Sequence, residues 1–154
     1  MPSQKLKNYL DENGTMYLTL KHSPAYTAQQ IAAASHISGK ELAKTVIVKL
    51  DGHMAMAVLP ASYQINMKLL KNGAGAEMIE LATEQEFMNL FPECEVGAMP
   101  PFGNLYKMAV YLASSLAEDA EITFNAGTHS ELIKMLCKDY EKLVNPVVVD
   151  FTSH

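Results

Sequence analysis

The spacing of apolar positions along the chain changes several times, and each change marks an element. Leu6, Tyr9 and Leu10 recur at helical intervals behind Ser3, and Gly14 follows, so residues 3–13 are predicted to be a helix. Met16 to Leu20 alternates as a strand does. His22-Ser23-Pro24-Ala25-Tyr26 then interrupts regular structure, because Pro24 disfavours helix at Ser23. Thr27, with Gln30 three residues on, has the form of a capping box opening a second helix. Ser38 opens a short third helix that runs to the region of Ala43.

The clearest local signal follows. Thr45–Leu50 and His53–Leu59 are apolar, partly β-branched runs joined across Asp51-Gly52, the pair favoured in a type I′ hairpin turn. Pro60 ends the second strand. Asn66 begins a helix that Gly73 and Gly75 close, 77–81 reads as a short strand, and Thr83 with Glu86 caps a further helix. Phe87, Leu90 and Phe91 are expected to be its buried face. Residues 92–104 form a Pro/Gly-rich loop, and Tyr106–Leu112 and Glu121–Phe124 read as strands. Glu131–Leu136 fits a strand or a helix start equally. Lys138–Leu143 is predicted helical, and Asn145-Pro146 ends it ahead of Val147-Val148-Val149. Helices interleaved with hairpins, with no repeat or linker, predict one mixed α/β domain over 1–154 with a largely antiparallel or mixed sheet.

Size and composition agree with that picture. A chain of 154 residues, 49% hydrophobic, can bury a full core without a disulfide or a metal. Its apolar runs are too short to span a membrane, and the first residues lack a signal-peptide core, which predicts a soluble cytoplasmic protein without membrane attachment. Cys94 and Cys137 have no metal or CxxC spacing and are expected to be reduced packing residues. The ten methionines, among them Met54, Met56, Met67, Met78, Met88 and Met108, read as adaptable core filler. Net charge is −5, and all 12 basic residues are lysines. The absence of arginine argues against sequence-specific DNA readout, where bidentate arginine is the commonest tool. Lysine still serves as a point charge toward phosphate, so contact with nucleic acid is expected to be local or assisted by a partner.

Three segments carry candidate chemistry. Lys44 stands at the mouth of the first hairpin strand, where its stem can be buried and its ammonium held over a cleft. Alone it reads as a solvated strand-end lysine. The other two segments change that balance. In Gly97-Ala98-Met99-Pro100-Pro101-Phe102-Gly103 two glycines bracket two prolines, combining freedom at the ends with stiffness in the middle. Such a loop can present main-chain groups to a ligand, or serve as a rigid turn. In Phe124-Asn125-Ala126-Gly127-Thr128-His129, Asn125 and Gly127 suit a strand end leaving regular pairing. His129 and His22 can line a pocket or be satisfied structurally. There is no GxSxG, Walker loop, HExxH or GxGxxG, so neither a nucleophile triad nor a metal or cofactor site is expected.

Together, His22…Thr27-Ala28, Ala43-Lys44-Thr45, Gly97-x-x-x-Pro101-x-Gly103 and Phe124-Asn125-Ala126-Gly127 resemble the YbaK/prolyl-tRNA synthetase-associated domain family. The resemblance covers about His22 to Leu143. It implies a compact domain with a mixed, barrel-like sheet flanked by helices, and a pocket for the aminoacylated 3′ end of tRNA. It implies deacylation of mischarged tRNA by a water that the substrate's own 2′-hydroxyl helps to activate. By that resemblance Lys44 holds the terminal phosphate or positions the ester, and the loop from Gly97 orients the amino acid and the water. Thr45 shapes the pocket, Met99, Pro100 and Phe102 wall it, and Pro101 and Gly103 complete the loop. His22, Asn125 and Gly127 line the pocket, and His129 matches a histidine of members that prefer small amino acids. Pro100 replaces a small polar residue of many relatives, and Leu132 stands near an acidic position of cysteine-specific ones. An aminoacyl-tRNA synthetase is a further candidate partner. The alternative is a relative that binds a nucleotide or aminoacyl group without hydrolysing it.

Overall fold

The computed structural model describes residues 4–21, 42–91, 94–95, 98–128 and 130–153. The helices expected from Thr27 and Ser38, and the site candidates His22, Gly97 and His129, lie outside the described residues.

In chain order the elements begin with α1 (Gln4–Glu12), which buries Leu6 and Leu10, and the edge strand β1 (Tyr17–Lys21). The hairpin β2 (Leu42–Leu50) and β3 (His53–Pro60) turns at Asp51-Gly52. Asp51 has φ 52° and Gly52 φ 84°, both positive, as a type I′ turn demands. The Asp51 carboxylate also accepts from the Glu77 and Met78 amides at 3.0 and 2.8 Å, pinning the next segment beneath the turn. There follow β4 (Gln64–Ile65), α2 (Met67–Ala74), β5 (Ile79–Leu81) and α3 (Glu84–Phe87), which continues as a 3-10 turn to Leu90. The second half comprises β6 (Ala109–Ala113), α4 (Ser114–Ala117), β7 (Glu121–Asn125), β8 (Glu131–Leu136), α5 (Cys137–Val144), β9 (Val147–Val149) and β10 (Thr152–Ser153).

One mixed sheet runs β1-β8-β7-β2-β3-β6-β9, with β5 also on β2. The β2–β7, β3–β6 and β6–β9 pairs are parallel and the others antiparallel. β2 is buried on both faces. Ala43 and Ile47 enter a core with Met56, Val58, Phe102, Phe124 and Tyr140, while Val48 and Leu50 join Ala57, Leu59, Leu70 and Phe151 on the other side. Each fully buried large side chain contributes about 1.5–3 kcal/mol, which is what holds this strand fixed.

Several expectations are corrected. Leu42 and Ala43, expected to end a helix, are strand residues in parallel register with Thr123 and Phe124, so Lys44 lies within β2 and not before it. The strand expected from Tyr106 starts at Ala109, because Gly103–Leu105 forms a 3-10 turn and the Gly103 carbonyl accepts from both Tyr106 and Met108 at 2.9 Å. Leu90 is exposed and Phe91 buried, since the 3-10 turn rotates Leu90 outward. Met78 and Met88 are likewise exposed and are not core filler. Glu131–Leu136 is a strand, paired on both edges. Cys137 opens α5, and burial pushes its thiol up to about 11, consistent with packing and not reactivity.

The capping box of α3 is present, with Thr83 and Glu86 each bonding the other's main-chain amide. Glu86 also pairs with Lys49 of β2, and this hydrogen bond with the two from Thr83 lowers its carboxyl from 4.5 to about 2. A carboxyl depressed on folding stabilises above its unfolded value and loses that contribution as pH falls toward the folded one. From pH 4.5 down to 2, urea midpoints of the wild type should therefore fall more steeply than those of Glu86→Gln, with a difference that shrinks in salt. Parallel curves would show that this exposed pair contributes nothing.

Candidate active site

The site forms where β2 exchanges one neighbour for another. A strand residue offers its N–H and C=O to the same edge, and successive residues alternate edges. The Leu42 carbonyl accepts from Ala61 at 2.7 Å on the β3 side, and the Ile47 carbonyl accepts from Ala82 at 3.0 Å on the β5 side. Odd-numbered residues therefore face the edge shared by β7 and β5. On that edge the β7 ladder stops at Ala43 and the β5 ladder starts at Val48, which leaves Thr45 between them without a rung among the described residues.

The glycine-proline loop explains the break. Continuing the parallel register would bring the Gly127 N–H to the Thr45 carbonyl. Instead, Gly127 turns away at φ 96° and donates to the Ala98 carbonyl at 2.9 Å. Its own carbonyl accepts from Glu95 at 2.8 Å. The loop thus takes the Gly127 N–H that the next rung would have used.

A cleft of about 280 Å³ opens beside this gap. Thr45, Val46 and Ile47 form one side, Met99 of the loop another, and Leu81, Ala82 and Phe87 a third, with Glu84 also on its wall. Thr45 and Met99, both expected site residues, are therefore brought together. The contributions of Leu81, Ala82, Glu84 and Phe87 were not foreseen. Nothing local in their sequence distinguishes them, since β5 reaches the cleft through its pairing with β2.

Lys44 is half-buried in β2 opposite Leu59, and strand alternation puts its side chain on the opposite face of the sheet from that of Thr45. Burial lowers its ammonium below the usual lysine value, and no carboxylate pairs with it among the described residues. In register, the residue of β7 beyond the last β2 rung is Asn125, whose side-chain oxygen is buried without a hydrogen-bond partner among the described residues. A partly desolvated cation and an unsatisfied amide oxygen thus occupy equivalent positions where the two strands part. Such groups are expected to gain most from a ligand carrying the opposite polarity.

The remaining loop residues support the site and do not line the cleft. Phe102, expected to wall the pocket, is completely buried and packs edge-on against Phe124 at 5.5 Å and Tyr140 at 5.3 Å. Pro100 is buried, and its carbonyl accepts from Phe102 at 2.8 Å. The Pro101 carbonyl accepts from the buried Tyr140 hydroxyl at 2.7 Å. Gly103 is required by close approach, because a Cβ there would sit 2.5 Å from the Met108 carbonyl oxygen. Among the described residues no group of three or more His, Cys, Asp or Glu is placed to hold a metal.

Comparison with known proteins agrees with this architecture. The model of the aminoacyl-tRNA editing domain family matches residues 22–143. The chain belongs to that family, the class of deacylases that its YbaK-like motifs suggested. It is 28% identical over 156 aligned positions to the multifunctional Ser/Thr-tRNA deacylase ProXp-y of Escherichia coli (strain K12), covering 96% of this chain and 91% of that protein. It is also 28% identical over 75 residues to the proline–tRNA ligase of Bacillus mycoides (strain KBAB4), covering 49% of this chain and 13% of the ligase. Two crystal structures share the fold. One is a hypothetical protein (TM-score 0.87, 22% identity, covering 97% of this chain and all of that one). The other is a candidate trans-editing enzyme for prolyl tRNA synthetase (TM-score 0.84, 18% identity, covering 99% and 98%).

The Tyr140 hydroxyl is the pin that holds the loop, and burial raises its pKa, so it remains a donor. Tyr140→Phe keeps the ring and strands the buried Pro101 carbonyl. The expected cost is about 1–3 kcal/mol in urea unfolding. Unchanged stability would show that the carbonyl finds another donor.

Proposed function

We propose that the protein hydrolyses the ester of a mischarged tRNA in trans, releasing a small amino acid. The observation that carries this reading is the meeting of Thr45 and Met99 on one cleft, while the residue preceding Thr45 in β2, the half-buried Lys44, has no acidic partner among the described residues. Water attacks the ester carbonyl carbon, the bond from that carbon to the ribose oxygen breaks, and the water's proton passes to the leaving oxygen. The products are a free amino acid and an uncharged terminal hydroxyl. An aminoacyl ester is already activated, so positioned water and stabilisation of the developing oxyanion suffice, and no protein nucleophile is required.

In this reading Lys44 meets the terminal phosphate or positions the ester. The 2′-hydroxyl of the terminal ribose handles the proton, and the loop from Gly97 orients the amino acid. Met99 and Phe87 limit the size of the side chain admitted. A size limit is the useful discriminator, because a synthetase gains only about 1–3 kcal/mol against an amino acid smaller by one methylene. Alanine is the expected substrate on tRNA-Pro or a similar tRNA. Because ProXp-y is a Ser/Thr-tRNA deacylase, serine and threonine are the nearest comparators. His22 and His129 are proposed to complete the pocket, and an aminoacyl-tRNA synthetase is proposed as the source of the substrate.

The test is a panel of alanyl-, seryl-, threonyl-, cysteinyl- and prolyl-tRNA. Release should be fastest for the smallest side chains and negligible for correctly charged prolyl-tRNA. A module that binds without hydrolysing would leave every ester intact. Lys44→Ala should fold with an unchanged melting temperature and lose about 100-fold or more in kcat/KM. Undiminished turnover would remove Lys44 from the mechanism.

A further inference from the structure

The interrupted edge of β2 has the dimensions and polarity of one missing residue. Ala43 takes the last rung from β7, and the Ile47 carbonyl is engaged by Ala82. Between them, Thr45 presents one N–H and one C=O to the cleft, with no partner on that edge among the described residues. Thr45 is half-buried on the cleft wall. An aminoacyl ester carries the complementary pair, an ammonium donor and a carbonyl acceptor flanking one Cα, as a peptide residue does. Strand edges recognise extended chains through these main-chain atoms, leaving side-chain identity to adjoining pockets.

We propose that the amino acid of the substrate fills the missing rung: the Thr45 carbonyl accepts from the α-ammonium, and the Thr45 N–H donates to the ester carbonyl. This inference rests on the deacylase reading and adds the residue that fixes the aminoacyl group. It has a consequence for selectivity. The main-chain anchor is blind to the side chain, so discrimination falls to the cleft wall at Ile47, Phe87 and Met99. It also requires the group next to the ester to be a free amine. Acetylation removes the charge, and replacement by hydroxyl leaves a weaker, neutral donor.

The experiment compares valine with its α-hydroxy analogue at position 45, each introduced by nonsense suppression, so that the pair differs only by N–H against O. On alanyl-tRNA the ester-backbone protein should lose about tenfold or more in kcat/KM relative to the valine protein, with the fold retained and only the small loss of thermal stability that a weaker Lys44 carbonyl in the β2–β3 ladder brings. Equal kinetics would overturn the proposal. A second measurement needs no variant. Wild-type rates on alanyl-, N-acetylalanyl- and lactyl-tRNA are each divided by the uncatalysed rate of the same ester. The normalised rate should fall about tenfold or more for both analogues, and equal acceleration of all three would overturn the proposal. Failure of the wild type to hydrolyse any charged tRNA would sink the deacylase reading itself, a result distinct from activity that is indifferent to the amine.

Discussion

A single hydrogen bond redirects the sheet. By donating to Ala98 and not to Thr45, Gly127 ends the β7 ladder after two rungs and leaves β2 without a neighbour for one residue among the described ones. A strand edge is costly to leave open in a core and harmless where water reaches it. The cleft supplies that access. The same bond that interrupts the sheet therefore creates the place where a ligand can complete it.

The rest of the architecture keeps this arrangement rigid. Gly127 adopts its positive φ without strain, as a side chain would not. Pro100 and Pro101 restrict the loop, the Tyr140 hydroxyl holds the Pro101 carbonyl, and Phe102 locks between Phe124 and Tyr140. These contacts lie in the main core, so the position of Met99 over the cleft is fixed by packing that has no contact with a ligand. A reaction that relies on positioned water tolerates little displacement, and a stiff loop tied to a central strand is a suitable support.

The hairpin, the capping box and the grouping of three distant segments were legible because each has a local chemical signature. Asp51-Gly52 states its turn, Thr83 and Glu86 state their cap, and the Gly-Pro loop states its stiffness. What stayed hidden depends on partners far along the chain. Leu42 and Ala43 became strand through parallel pairing with Thr123 and Phe124, and Glu131–Leu136 was settled by neighbours on both edges. Phe102 looked like a pocket wall because a bulky apolar loop residue has no local mark of burial. Its three aromatic neighbours among the described residues come from α1, β7 and α5. Leu81, Ala82 and Phe87 reach the cleft for a similar reason, carried there by the pairing of β5 with β2.

The most direct measurement is amide hydrogen exchange along β2, residue by residue. Lys44 and Val46 face β3, whereas Thr45 faces the gap. The Thr45 amide should exchange much faster than its two neighbours in the free protein and slow down when a non-hydrolysable aminoacyl-adenosine is added. Equal protection of Thr45, Lys44 and Val46 in the free protein would mean that the edge is already closed, and the seat described for the substrate would not exist.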